Sequence, residues 1–162
     1  MEITKVTLKD LPEIVRIENL GFTPEEAGTK EQYQDRIEKL QDTFLIARIN
    51  EQVAGFVVGP AVKEKFVEDW MYKNTPKNLP TGGNQIIFTI AVDPKFRGHS
   101  IGSKLLKAME DNARKAQRES ISLTSLEKNL PFYLKNGFKN LGVADSEHAG
   151  ETWYNLVKEL ND

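Results

Sequence analysis

The sequence predicts a mixed α/β (α+β) domain in which a sheet carries helices on its faces. Three observations lead there. Segments with a two-residue apolar alternation and segments with a helical apolar stripe follow one another along nearly the whole chain of 162 residues. Their order is β, α, α, β, β, insertion, β, α, β, α, β, β. IIFTIAV (86–92) is an unbroken apolar and β-branched run, as a central strand covered on both faces requires. No internal repeat, low-complexity segment or linker interrupts the pattern, so residues 1–162 read as a single domain.

EITKVTL (2–8) alternates polar and apolar and begins the sheet. Asp10 then stands at an N-cap position with Pro12 in the first turn, and Ile14, Val15, Ile17 and Leu20 form the stripe of a first helix. Thr23-Pro24-Glu25-Glu26 has capping-box spacing, which predicts a second helix running to about Leu40. TFLIARI (43–49) and QVAGFVVG (52–59) flank Asn50-Glu51 as a hairpin. Residues 60–85 place Phe66, Val67, Trp70, Met71 and Tyr72 at helical spacing ahead of NTPKNLPTGGN, a short helix followed by a loop. Beyond 86–92, Ile101, Leu105, Ala108, Met109, Ala113 and Ala116 line one face of a longer helix. ISLTSL (121–126) is a strand, and LPFYLKN is a short helix that Asn129 opens and Gly137 closes. Residues 138–143 and 152–157 supply the last two strands.

Composition narrows the function. Lys plus Arg number 22 against 24 Asp plus Glu, a net charge of -2, and neither sign gathers into a block that would hold a nucleic acid or an anionic membrane. The absence of cysteine excludes a disulfide framework, a thiolate nucleophile and a cysteine metal site, and two histidines are too few for a metal cluster. MEITKVTLKD carries no apolar leader, and no run approaches the roughly 18 to 20 apolar residues of a membrane span, so a cytoplasmic protein is expected.

The most informative stretch is VDPKFRGHSIGSKLL (92–106). Backbone N–H groups between Arg97 and Ser103 can converge at a helix N-terminus, where the dipole favours negative charge. Gly98 and Gly102 allow close approach of an anion, and Arg97 or Lys104 adds charge-assisted contacts. The alternative is a purely structural turn. Neither GxGxxG nor GxxxxGK[ST] occurs in the chain, so the common nucleotide motifs do not apply.

The same stretch resembles the acetyl-CoA pyrophosphate loop of the GCN5-related N-acetyltransferases (GNAT), whose pattern is Arg or Gln, two residues, Gly, one residue, then Gly or Ala. Arg97 and Gly102 match it, and Ser100 stands where the pattern has its first glycine. Downstream, SLEKNLPFYLKNGF (125–138) resembles the family segment in which a tyrosine four residues before a glycine faces the CoA sulfur; here that is Tyr133 before Gly137. PFY, together with RIENLGFTPEEA, resembles the arylalkylamine (serotonin-type) branch.

The resemblance implies a GNAT-like mixed, mostly antiparallel sheet with a splayed central strand pair and helices on both faces. It implies acetyl-CoA as cosubstrate, with pantetheine along Ile90, Ala91 and Val92, and the pyrophosphate on Arg97, Gly98, His99, Ser100, Ile101, Gly102 and Ser103. Asn129, Phe132 and Tyr133 complete the implied CoA contacts. Direct acetyl transfer to an amine needs a proton acceptor, because a primary amine has a pKa of about 10 and is protonated at neutral pH. It also needs donors for the oxyanion and an acid for the leaving thiolate, the role expected of Tyr133. The two histidines that the arylalkylamine enzymes carry in the preceding strand correspond to Ile86 and Phe88, which cannot titrate. His148 is the base candidate, with Glu127, Glu18 or a water chain as other possibilities, whereas His99 is expected to meet phosphate or solvent. Phe66, Trp70, Tyr72 and Trp153 line an acceptor pocket in one reading and are core in the other.

The expected protein is a monomeric or homodimeric N-acetyltransferase of a small primary amine: a polyamine, an arylalkylamine or an amino-acid derivative. The alternatives are a protein N-acetyltransferase and a CoA-binding sensor without catalysis. No metal, nucleic acid or membrane partner is expected.

Overall fold

The computed structural model describes residues 1–145 and 150–160. In chain order the strands are β1 (Glu2–Lys5), β2 (Phe44–Ile49), β3 (Gln52–Val58), β4 (Ala61–Val62), β5 (Asn84–Ile86), β6 (Thr89–Val92), β7 (Ser120–Ser125), β8 (Lys139–Val143) and β9 (Tyr154–Glu159). The helices are α1 (Leu11–Gly21), α2 (Lys30–Lys39), α3 (Trp70–Lys73), α4 (Ile101–Lys115) and α5 (Leu130–Lys135). The chain divides into two units, residues 1–59 with 89–109 and residues 60–88 with the chain from 110 onward. None of the described helices is long and apolar enough to cross a membrane.

In the first unit a four-stranded sheet runs β1-β2-β3-β6, antiparallel throughout. The expected hairpin forms: Ile49 pairs with Gln52, and Asn50 and Glu51 both adopt positive φ (49° and 69°), the backbone of a primed two-residue turn whose twist suits the strands. The core joins Ile14 and Ile17 of α1 to Tyr33 and Ile37 of α2 and to Phe44, Ile46 and Phe56 of the sheet. Tyr33 meets Phe56 edge-on, with centroids 5.6 Å apart.

Three details of this unit differ from the sequence expectation. Asp10 does not cap α1 with its side chain. Its carboxylate instead accepts the Thr7 N–H at 2.9 Å and a fork from Arg48 at 2.8 and 3.0 Å. Burial pushes this carboxyl up, but those donors outweigh it and hold the group below its usual value. The buried stripe of α1 contains Glu18, whereas Leu20 is exposed. Finally, Thr23 and Glu26 make half of their box, the Thr23 N–H and hydroxyl donating to Glu26 at 3.1 and 3.0 Å, and close only one turn. Helix α2 starts six residues later than expected, from a second box made by Thr29 and Gln32.

The second unit holds a five-stranded sheet in the order β4-β5-β7-β9-β8, antiparallel except for the parallel pair β5–β7. Residues 86–92 were expected as one strand, but the run is divided: Ile86 pairs with Ser122 of β7, whereas Thr89–Val92 pairs with β3. An apolar run can serve two sheets in succession because burial, not partner identity, sets its composition. The short insertion helix α3 packs Met71 against Val62 and Ile86. Lys158 of β9 donates to Glu110 at 2.6 Å and to the Asn136 carbonyl at 3.2 Å, tying the end of α5 to the strand. Strand β8 ends its sheet, and a register shift between Asn140 and Val143, with Gly142 at φ 103°, interrupts its pairing. Leu141 and Val143 beside that shift are 55% and 67% exposed.

Candidate functional site

Strand β6 closes one end of the first sheet, so among the described residues the backbone of Ile90, Ala91 and Val92 has a strand partner on one edge only. Gly55 lies opposite Val92, and a Cβ on it would stand 2.7 Å from the Ala91 carbonyl oxygen, so a side chain there would push β6 away. The chain leaves β6 at Asp93, which is 2% exposed. Its carboxylate accepts the Lys95 N–H at 3.0 Å and the Arg16 guanidinium of α1 at 2.8 Å, and Arg16 also holds Glu13 at 2.8 Å. Burial pushes the Asp93 carboxyl up, and the bonds from Arg16 and Lys95 more than reverse it, so the net shift is downward. The root of the loop is therefore clamped to α1.

Past Asp93, Pro94–Phe96 makes one tight turn and Arg97 is extended. Gly98 then takes φ 88° and Ser100 φ 57°, immediately before α4 begins at Ile101. Two left-handed residues bracket His99 directly ahead of α4, a backbone suited to an anion-binding nest. The first N–H groups of α4, at Ile101, Gly102 and Ser103, have no carbonyl one turn back within the helix. Residues 97–100 are exposed, so an anion reaches them without a conformational change. Ser100 occupies the position at which the resemblance expects glycine, and its left-handed φ supplies the physical reason for that preference.

The second unit carries the other expected site residues. Tyr133 and Phe132 sit side by side on α5, with ring centroids 5.0 Å apart, and Tyr133 also meets Phe138 at 5.9 Å. Burial pushes the Tyr133 phenol well above its usual value, and Tyr72 of α3 adds to the shift. A phenol shifted upward is protonated at neutral pH and can donate a hydrogen bond. Tyr72 in turn packs on Phe88, with centroids 4.7 Å apart. Of the insertion aromatics, then, Tyr72 is the one placed near the candidate acid, whereas Trp70 is largely exposed and bonds to Glu68 at 3.0 Å. Phe66 is also exposed and Trp153 is half-buried. Asn129 precedes α5 but makes no side-chain cap bond, which corrects its expected capping role. Glu127 opens the short turn Glu127–Asn129 that leads into α5. His148 lies outside the described residues.

The structure thus gathers Ile90–Val92 and Arg97–Ser103 in the first unit, and Asn129, Phe132 and Tyr133 in the second. Sequence reasoning missed the Arg16–Asp93 clamp. Its signal was faint: an aspartate before proline reads as a turn residue, and nothing local names its partner on α1.

The acetyltransferase (GNAT) family model matches residues 11–138, which include both groups. The chain belongs to the GNAT family. Its fold is the GNAT fold, with antiparallel sheets and helices on both faces. It is similar to Ard1 from Thermoplasma volcanium at TM-score 0.77 and 21% identity, over 99% of this chain and 98% of that one. It is similar to GphF, a GNAT-like decarboxylase in complex with isobutyryl-CoA, at TM-score 0.83 and 14% identity over 98% and 99% of the two chains. A third likeness is to Arabidopsis thaliana Naa50 in complex with the bisubstrate analogue CoA-Ac-MVNAL, at TM-score 0.75 and 20% identity over 98% of each chain. Both complexes hold CoA derivatives, consistent with acetyl-CoA as the cosubstrate of this GNAT chain. No sequence among curated proteins matches it.

Proposed function

We propose that this chain is an acetyl-CoA-dependent N-acetyltransferase that moves an acetyl group directly onto the primary amine of a small molecule. The observation that carries the reading is the loop between β6 and α4. In a chain of this family, two left-handed residues and a helix N-terminus converge behind Arg97. The 97–103 loop takes the pyrophosphate and the outer edge of Ile90–Val92 takes the pantetheine. Backbone N–H groups of that strand face the carbonyl oxygen as it becomes an oxyanion. The amine nitrogen attacks the acetyl carbon, the carbon–sulfur bond breaks, and the Tyr133 hydroxyl donates to the departing sulfur. A phenol with a raised pKa serves that step chiefly as a fixed hydrogen-bond donor. Asn129 and Phe132 belong to the pantetheine side of the same proposal, and His148 remains a proton-acceptor candidate on sequence grounds.

PFY and the residues around Thr23–Ala27 support placing the acceptor among arylalkylamines, with polyamines and amino-acid derivatives as the other small amines. Acetylation of a protein N-terminus is the second reading. It is favoured by the likeness to Naa50, whose bound analogue joins CoA to a peptide. Thiol release with small amines beside short peptides separates the two. The deciding experiment is calorimetric titration of the protein and of Arg97→Glu with acetyl-CoA and CoA. Micromolar binding, weakened about a hundredfold by the charge reversal, is expected. Absence of binding to the unaltered protein would refute the reading.

A further inference from the structure

The junction of α1 and α2 buries a carboxylate. Glu18 lies at a core position of α1, one turn after Ile14, and is 2% exposed. One oxygen, Oε2, accepts the Gly28 N–H at 2.7 Å. The other, Oε1, is buried with no hydrogen-bond partner, and so is the hydroxyl of fully buried Tyr33. The polar groups acting on that hydroxyl are Glu18, Arg36 and Thr89, the first residue of β6. Two adjacent buried oxygens without geometric hydrogen-bond partners form a costly arrangement.

We infer that Glu18 and Tyr33 form the receiving site for the ammonium group of the acceptor amine, which donates to Glu18 Oε1 and the Tyr33 hydroxyl before giving its proton to Glu18. An ammonium is the complement of the pair, since it brings donors and one positive charge and both orphans accept. The location suits the role, because Thr89 joins this pair to the strand that is to hold the acetyl group. Gly28 and Thr89, which both act on the pair, are half-buried. Glu26 opposes ionisation, and Arg36, whose guanidinium lies over the Tyr33 ring at 4.9 Å, favours it. Burial outweighs the favourable contacts, so the carboxyl sits above its usual value and is suited to accept a proton. In proton balance, R–NH3+ and the carboxylate become R–NH2 and the carboxylic acid, and the freed amine attacks the acetyl carbon.

This inference rests on the acetyltransferase reading but is testable apart from it. Glutamate labelled with 13C at the side-chain carboxyl is titrated by NMR, with the Glu18 signal assigned from its loss in Glu18→Gln. Spermidine, tyramine and a short peptide with a free N-terminus serve as probes, each with and without acetyl-CoA. Glu18 is expected to titrate above the other glutamates and to move down when one of the amines binds. The Glu18→Gln variant should bind that amine at least tenfold more weakly and acetyl-CoA unchanged. It should also melt higher than the parent at neutral pH, because a raised carboxyl stabilises the fold below the ordinary glutamate range and loses that contribution as pH rises through its folded value. Tyr33→Phe, which keeps the ring, should weaken amine binding less. If none of the three amines moves the Glu18 signal, or if Glu18→Gln binds the amine as tightly as the parent, the inference is overturned. An amine-dependent shift in a protein that fails to bind acetyl-CoA would uphold the ammonium site and overturn the enzymatic reading instead.

Discussion

The 97–103 loop and the α1–α2 junction handle charge in opposite ways, although both belong to the first unit. Residues 97–100 of the loop are exposed, and the loop offers an anion mostly backbone N–H groups, which do not depend on side-chain identity. The junction is buried and works through particular side-chain atoms, so no replacement at Glu18 or Tyr33 keeps its character. A site made of backbone depends on φ angles, and one made of buried side chains depends on packing. The two should fail differently when perturbed.

The largest effect is expected at the junction. A Cβ on Gly28 would lie 2.9 Å from a Tyr33 ring carbon and 3.3 Å from Arg36 Nη1, so Gly28→Ala should cost about 2 kcal/mol in a urea melt. The same change should displace the Tyr33 ring and leave CoA titrations unaltered. At the root of the loop, Asp93→Asn removes the charge that Arg16 holds and should cost about 1–2 kcal/mol at neutral pH. Its signature lies in the pH dependence. A carboxyl lowered in the folded state stabilises above its unfolded pKa, and that contribution is lost as pH falls through the lower folded value. The acid side of the stability curve should therefore be shallower in Asp93→Asn than in the parent. The smallest effect is at Ser100, where Ser100→Gly relieves a left-handed φ but loosens the unfolded chain, a net gain of about 0.5 kcal/mol. Calorimetry should show CoA binding to Ser100→Gly as tight as the parent or tighter; markedly weaker binding would mean that the Ser100 hydroxyl is itself a ligand.

The contrast also explains what could be read from the sequence. Glycine spacing, an N-terminal turn and a stripe from Ile101 to Ala113 announce the loop and α4, because φ preferences and helical periodicity are local properties. The Asn50-Glu51 hairpin and the close of α5 at Gly137, φ 93°, were legible for the same reason. The start of α2 was not: two capping-box spacings, at Thr23 and Thr29, compete in the sequence, and the one at Thr29 forms in full whereas that at Thr23 forms by half. What separates them is the tight packing of Gly28 against Tyr33 and Glu18, a tertiary fact. The division of residues 86–92 between two sheets escaped for a related reason, since an apolar run does not name its partners. Glu18 was legible only as one of several proton-acceptor candidates, and its place one turn after Ile14 was the hint that it is buried.

The register shift in β8 bears on how the protein behaves at high concentration. A terminal strand presenting Leu141 and Val143 would ordinarily template pairing with a second chain, the first step toward fibrous aggregates. Gly142 in the left-handed region and the mismatch between Asn140 and Val143 spoil the straight ladder that such growth needs. The irregularity therefore keeps an apolar rim compatible with a dispersed protein.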